Sequence, residues 1–171
     1  MGVAHLDKAR AVKNDEFYTQ RVDVDRGMAQ FTDKDPDVFR GKTMLLPCDD
    51  PEWSAFTAHF LDNFHKYGLA RLISTCYAKP AEIMGEQPRG RVLDTTTGGR
   101  SWTYLDGDGD FRSPEVTRYR NQADMIITNP PFSQLNDFMG WATGTDVDLA
   151  VVTPVTALGY RCLLYTSDAA D

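Results

Sequence analysis

Short apolar runs bounded by turn residues recur along this chain. They are Thr43-Met44-Leu45-Leu46, residues 69–77, Met125-Ile126-Ile127-Thr128 with Asp124 before it, and Leu149-Ala150-Val151-Val152-Thr153. Continuous runs of this length predict strands covered on both faces, as in a parallel sheet. After the first run, Trp53, Phe56, Phe60 and Phe64 recur at helical spacing and stop near Gly68. Asp50 as N-cap, Pro51 at the first helical position and Glu52 in the first turn predict where that helix begins. Strand, helix and strand in succession predict a right-handed parallel crossover. Residues 91–95 and 101–105 flank Thr96-Thr97-Gly98-Gly99-Arg100, which predicts a β-hairpin turning on Gly-Gly. A short helix is expected over Pro114–Arg120, and a second one capped by Ser133 and reaching about Trp141. Residues 1–40 are mostly polar, and residues 80–90 read as a linker containing Pro and Gly. The alternation of strands and helices predicts an α/β doubly wound sheet with a hairpin insertion.

Length changes this picture little, because 171 residues suit one domain with a sizeable core. No apolar run approaches the roughly 18 residues of a membrane span, and the N-terminus lacks a signal-peptide core. Gly2 is not followed by the Ser or Thr of a myristoylation site, since position 6 is Leu. Cys48, Cys76 and Cys162 show neither metal nor disulfide spacing, so a reducing cytoplasm is expected. The net charge of −7 counts against a nucleic-acid partner, because duplex binding relies on Lys and Arg neutralising phosphates. The only loose basic group is Arg112, Arg118 and Arg120.

The last ten residues, Cys162-Leu163-Leu164-Tyr165-Thr166-Ser167-Asp168-Ala169-Ala170-Asp171, need separate treatment. They are the in-frame translation of a DNA string that resembles a transposase-type sequencing adapter. We expect residues 162–171 to be an artefact of that origin and the natural chain to continue after about Tyr160.

The chemistry concentrates at Asn129-Pro130-Pro131-Phe132, directly after the Met125 run. Consecutive prolines cannot extend a sheet ladder, so the strand stops there. What remains is a short polar side chain, carbonyls not consumed by secondary structure, and an aromatic ring. Two acceptors and a flat ring together suit a planar amine carried on a base. Ligands of open α/β sheets sit beyond the carboxyl ends of the strands. Asp49 and Asp50 after the first strand, and Asp106, Asp108 and Asp110 in the loop before Pro114, are predicted to reach the same crevice. A calcium loop is excluded, because Phe111 and Thr117 stand where Gly and Glu are required. His59 and His65 lack ligand spacing, and no Gly-x-Ser-x-Gly or HExxH pattern supports hydrolysis.

The tetrad at a strand end resembles motif IV of the S-adenosylmethionine-dependent amino-methyltransferases. With it, Asp15-Glu16-Phe17-Tyr18-Thr19-Gln20, Pro47-Cys48-Asp49-Asp50-Pro51-Glu52-Trp53-Ser54 and Gly107-Asp108-Gly109-Asp110-Phe111-Arg112-Ser113-Pro114-Glu115 occur in the order of the EcoRI-type adenine-specific DNA methyltransferases. The resemblance covers roughly residues 13–160. It implies a Rossmann-like methyltransferase fold, truncated before the final strands, in which residues 1–40 carry a cofactor motif and 41–161 form the catalytic domain. A target-recognition region is expected beyond it.

The resemblance also implies roles. Asn129, Pro130, Pro131 and Phe132 would form the catalytic clamp on a flipped adenine of double-stranded DNA. Tyr18 and Thr19 would lie near the methionine end of the cofactor, Cys48, Asp49 and Asp50 in its loop, and Asp110 and Phe111 at its adenine. A solvated segment competes for Tyr18 and Thr19, a helix cap for Asp50 and an acidic turn for Asp110. A GxGxxG fingerprint is absent, and Thr75-Cys76-Tyr77 offers no ribose-binding acid at the second strand end. The implied activity is transfer of methyl to adenine N6 by the complete protein, within a restriction-modification system and without a metal. The competing readings are a methyl acceptor in protein glutamine or RNA, and a cofactor- or DNA-binding module without catalysis.

Overall fold

The computed structural model describes residues 19–78 and 88–152. Tyr18, residues 80–87 of the linker, Thr153 and the 162–171 tail lie outside the described residues. In chain order the elements are α1 (Arg21–Lys34), β1 (Thr43–Leu46), α2 (Ala55–Asp62), α3 (Phe64–Tyr67) and β2 (Arg71–Cys76). They continue with β3 (Arg91–Thr96), β4 (Gly99–Tyr104), α4 (Pro114–Arg120), β5 (Met125–Thr128), a 3-10 turn (Phe132–Gln134), α5 (Leu135–Ala142) and β6 (Asp148–Val151).

The strands form one six-stranded sheet in the order β4-β3-β2-β1-β5-β6. β1 pairs in parallel with both β2 and β5, and β5 with β6. The β3–β4 hairpin adds to β2 in antiparallel fashion. The chain therefore leaves β1 towards one side and later returns to pair β5 on the other. That reversal leaves a crevice between the carboxyl ends of β1 and β5, the place where open α/β sheets bind ligands.

Both sheet faces are covered, which explains why β1, β2 and β5 are apolar without alternation. Met44, Leu46, Leu72 and Ile127 pack against Val24 and Met28 of α1, Phe56 and Phe60 of α2, and Phe64 and Tyr67 of α3. Leu45, Ile73, Val92 and Ile126 face the other way, onto Val116 of α4 and Leu135, Phe138 and Met139 of α5. β4 is the exception: all its residues are exposed, as its polar sequence Gly-Arg-Ser-Trp-Thr-Tyr allows at a sheet edge.

Local structure departs from the sequence reading where side chains have stronger partners elsewhere. The helix after β1 is capped by Ser54, not Asp50; the Ser54 hydroxyl accepts from the backbone N–H groups of Phe56 at 3.2 Å and Thr57 at 3.3 Å. Asp50 instead accepts from the Arg91 guanidinium at 2.6 Å and from Glu52 N–H at 2.9 Å, which holds Pro51 to Trp53 in a turn. Trp53 consequently leaves the apolar stripe and is 60% exposed. The helical stretch also breaks at Asn63, and Gly68 closes α3 at φ 64°, in the left-handed region. Ser133 does not cap a helix: it lies inside the 3-10 turn, and Gln134 occupies the N-cap of α5. The hairpin turns on Thr97-Gly98, because Thr96 already pairs with Gly99.

Candidate active site

The carboxyl end of β1 is fixed by hydroxyl groups from its neighbours. Thr75 of β2 donates to the Pro47 carbonyl at 3.1 Å, and Ser74 donates to the Asp49 carbonyl at 2.6 Å. The Asp49 carboxylate is buried; Ser54 Oγ donates to one oxygen at 2.8 Å and Thr128 Oγ1 to the other at 2.6 Å. Thr128 Oγ1 also accepts from Cys48 N–H at 3.3 Å. Asp49 thus ties the loop after β1 to the cap of α2 and to the last residue of β5. Asn129 follows Thr128 directly in the chain. Hydrogen bonds to a charged group contribute about 1.5–3 kcal/mol each, so this node holds the crevice walls in one geometry.

Asn129 follows β5 and is half-buried. Its amide nitrogen donates to Thr19 Oγ1 at 3.4 Å, a long contact that brings the segment before α1 onto the tetrad. Thr19, Cys48, Asp49, Asp50, Trp53 and Asn129 border one cavity of about 490 Å³. Sequence-distant candidates therefore meet at the β1–β5 crevice. Pro130 is buried and Phe132 half-buried at the start of the 3-10 turn. Neither lines the cavities described here, whereas Pro131 borders a second one.

That second cavity, of about 250 Å³, is lined among others by Cys76, Tyr77, Gly109, Asp110, Phe111 and Pro131. Cys48, Asp50 and Trp53 border it as well as the first, so the two are lobes of one cleft meeting at those residues. The acidic loop is pressed onto the end of β2. Gly109 adopts φ 83°, and a Cβ there would stand 2.3 Å from the Cys76 carbonyl oxygen. Ala78 N–H donates to the Asp108 carbonyl at 2.7 Å across the same contact. Asp110 accepts from the Arg112 backbone N–H at 2.8 Å and from its guanidinium at 2.7 Å. The Arg112 guanidinium holds the Asp110 carboxyl below the ordinary carboxylate value, against the opposing effect of burial. Each carboxylate oxygen has two lone pairs, so acceptor capacity for a further N–H remains. Phe111 is buried, with its ring edge-to-face on Phe138 at 5.3 Å and on Trp141 at 5.5 Å. It lines the cleft wall as part of the core.

Several contributors escaped the sequence reading. Arg91 clamps the turn, bonding Asp50 at 2.6 Å and Glu52 at 2.8 Å. These contacts, with Glu52 the largest, hold its guanidinium above the ordinary arginine value. In the sequence Trp53 falls on the apolar spacing of a helix and Thr128 ends a strand. Their sequence signals, an aromatic beside an Asp-Pro turn and a hydroxyl before Asn-Pro-Pro, are visible only once the turn is placed. Two members of the loose basic group are committed internally: Arg112 pairs with Asp110 and Asp137, and Arg120 bonds the Trp141 carbonyl, while Arg118 is exposed. His59 is buried between Asp25 at 2.5 Å and the Tyr67 hydroxyl at 2.8 Å, while His65 is exposed. Among the described residues no helix is long and apolar enough to cross a membrane, and no group of His, Cys, Asp and Glu is arranged to hold a metal ion.

A parallel-centred sheet covered on both faces, with a divided cleft at its switch point, defines a Rossmann-like methyltransferase domain. The chain belongs to the family described as adenine-specific methyltransferase EcoRI, whose family model matches residues 5–166. It is 29% identical over 167 residues to the Type II methyltransferase M.EcoRI of Escherichia coli, covering 91% of this chain and 50% of that protein. It is 31% identical over 159 residues to M.MpnI of Mycoplasma pneumoniae, covering 92% and 46% respectively. To M.MgeORF184P of Mycoplasma genitalium it is 29% identical over 135 residues, covering 79% and 39%. The chain spans half or less of the length of these relatives. No solved structure matches.

Proposed function

We propose that the complete protein transfers a methyl group from S-adenosylmethionine to the exocyclic N6 amine of adenine in DNA. The observation that carries this reading is the meeting of Thr19, Cys48, Asp49, Asp50 and Asn129 on one cavity at the switch point. Family membership supplies the reaction class.

The donor set suits this cofactor. The lobes, of about 490 and 250 Å³, together fall in the roughly 300–1,000 Å³ of small-molecule sites. The larger lobe, with Asp49 and Asp50 in its wall, suits the methionine end and its ammonium group. The smaller lobe, with Asp110 and Phe111, suits an adenine, whose amine needs an acceptor and whose ring needs an apolar wall. When bound, S-adenosylmethionine supplies a methyl on a sulfonium, already activated towards a nucleophile.

The chain's own residues position the acceptor. A target adenine must leave the duplex stack to reach the crevice. The Asn129 side-chain oxygen and the Pro130 carbonyl accept the two N–H bonds of its amine. The bound donor would yield its methyl to N6, its sulfur keeping the bonding pair, and the nitrogen held by Asn129 and Pro130 would gain positive charge. Acceptors aimed at those N–H groups interact more strongly with that charge than with the ground state, which is the condition for acceleration. One N–H proton then leaves to solvent. Pro130 and Pro131 make the acceptor geometry stiff, so little ordering is left for the reaction step. Phe132 stacks on the flipped base after local rearrangement of the 3-10 turn.

The test is nucleoside mass spectrometry of DNA from cells expressing the complete reading frame. N6-methyladenine above the vector control is the expected result. Methylation confined to RNA or to a protein amide would refute the substrate assignment.

A further inference from the structure

Trp53 lines the cleft without belonging to the core. Large aromatic side chains are normally buried, yet this one is 60% exposed. Its position is nevertheless tightly specified. Its N–H donates to the Asp50 carbonyl at 3.3 Å and Ser54 N–H donates to the same oxygen at 2.9 Å. Arg91 pins the turn from the side through Asp50 and Glu52. A rigid turn therefore presents an exposed indole, and that indole borders both lobes of the cleft.

The two lobes share only Cys48, Asp50 and Trp53. A ligand with a methionyl end in one lobe and an adenosyl end in the other must carry its sulfur across this junction. In S-adenosylmethionine that sulfur is a cation; after methyl transfer it is a neutral thioether. Among the residues shared by the two lobes Trp53 carries the one aromatic ring, and a ring face attracts a cation more strongly than it does a neutral thioether. We propose that Trp53 closes over the sulfonium at the junction and makes the cleft prefer the methyl donor to its demethylated product. This rests on the cofactor reading given above. It adds a residue and a consequence: the product is held less tightly because the attraction weakens with the loss of the charge.

The complete protein, its Trp53→Leu variant and its Trp53→Phe variant should be titrated with S-adenosylmethionine and with S-adenosylhomocysteine by calorimetry. Leucine keeps apolar bulk without a ring face, and phenylalanine keeps a ring. A cation–π contact in a partly desolvated site corresponds to a factor of about ten in affinity. We expect Trp53→Leu to weaken the donor about tenfold and the product less than about threefold, with Trp53→Phe close to wild type. Thermal melting of the same samples should be unchanged, because the indole is not part of the core. Equal weakening of both ligands by Trp53→Leu, or no weakening of either, would overturn the proposal while leaving the cofactor assignment intact. Failure of the wild-type protein to bind either ligand would overturn the cofactor assignment, and this proposal with it.

Discussion

Asp49 organises the site without having to touch what it binds. It is 5% exposed, and its two oxygens take hydroxyl donors from the cap of α2 and the end of β5. Removing the carboxylate leaves both donors stranded in a buried setting. Asp49→Ala should therefore lower unfolding free energy by about 3–5 kcal/mol, measured by urea denaturation of the complete protein, and Asp49→Asn by roughly half as much. A cost below about 1 kcal/mol for the alanine variant would show that the node is not structural. The Asp-Asp-Pro sequence did reveal an acidic loop at a strand end. It did not reveal which acid faces inward, because that depends on Thr128 and Ser54, far apart in sequence and indistinct in type. Asn129 was more legible: two prolines leave few alternatives to a strand end, and the residue before them must stand at the crevice. Thr19 lines the same cavity as Asn129, and the contact between them is a tertiary fact that no local pattern contains.

The loop that carries Asp110 is held by backbone shape. Gly109 is in the left-handed region and lies against the Cys76 carbonyl. Gly109→Ala is expected to displace the loop from β2 and cost about 1–3 kcal/mol. On the proposed cofactor reading, it should selectively weaken the lobe that holds Asp110, seen as lost competition by adenosine for bound S-adenosylmethionine. Unchanged adenosine affinity would contradict the assignment of that lobe. Helix α1 is docked by a second polar cluster, in which His59 meets Asp25 of α1 and Tyr67 of α3. Burial holds the His59 imidazole below the ordinary value of 6.5, although Asp25 pulls it upward. The unfolded chain takes up this proton first as pH falls. The contribution of His59 is therefore complete above about pH 6.5 and is lost as pH drops through the lower folded value. Asp25, lowered chiefly by Arg21, acts in the same direction but only in the carboxylate range. The urea midpoint should fall between about pH 7.5 and about pH 5.5, and His59→Gln should flatten that change; an equally steep fall in the variant would exclude His59 as its source. The apolar runs gave away β1 and β5, whose residues are buried almost throughout, and were also long enough to mark β2, with its buried Ser74 and Thr75, and the half-buried edge strand β6. Helix starts were harder to read: Asp50 looks like a cap but is engaged by Arg91 and the Glu52 N–H, and Ser133 falls inside the 3-10 turn that precedes α5.

Charge limits what this chain can do alone. Its net charge is −7, and Arg91 and Arg112 are committed to internal carboxylates at the cleft. Phosphate contacts made by Lys and Arg set both affinity and its salt dependence. The 171-residue chain should accordingly bind duplex DNA weakly, with a shallow salt slope, whereas the complete protein should show a steep one. Equal slopes in a fluorescence-anisotropy titration would contradict this division. The fold class was readable because alternating strands and helices restrict topology. The sheet order was not, because the same elements allow β5 on either side of β1. The most direct test of the central claim is tritiated methyl transfer to DNA by the complete protein and its Asn129→Ala variant, with S-adenosylmethionine binding measured on the same preparations. The account predicts loss of transfer by about a thousandfold or more, with cofactor affinity within about threefold of wild type. Near-normal transfer by Asn129→Ala would contradict it.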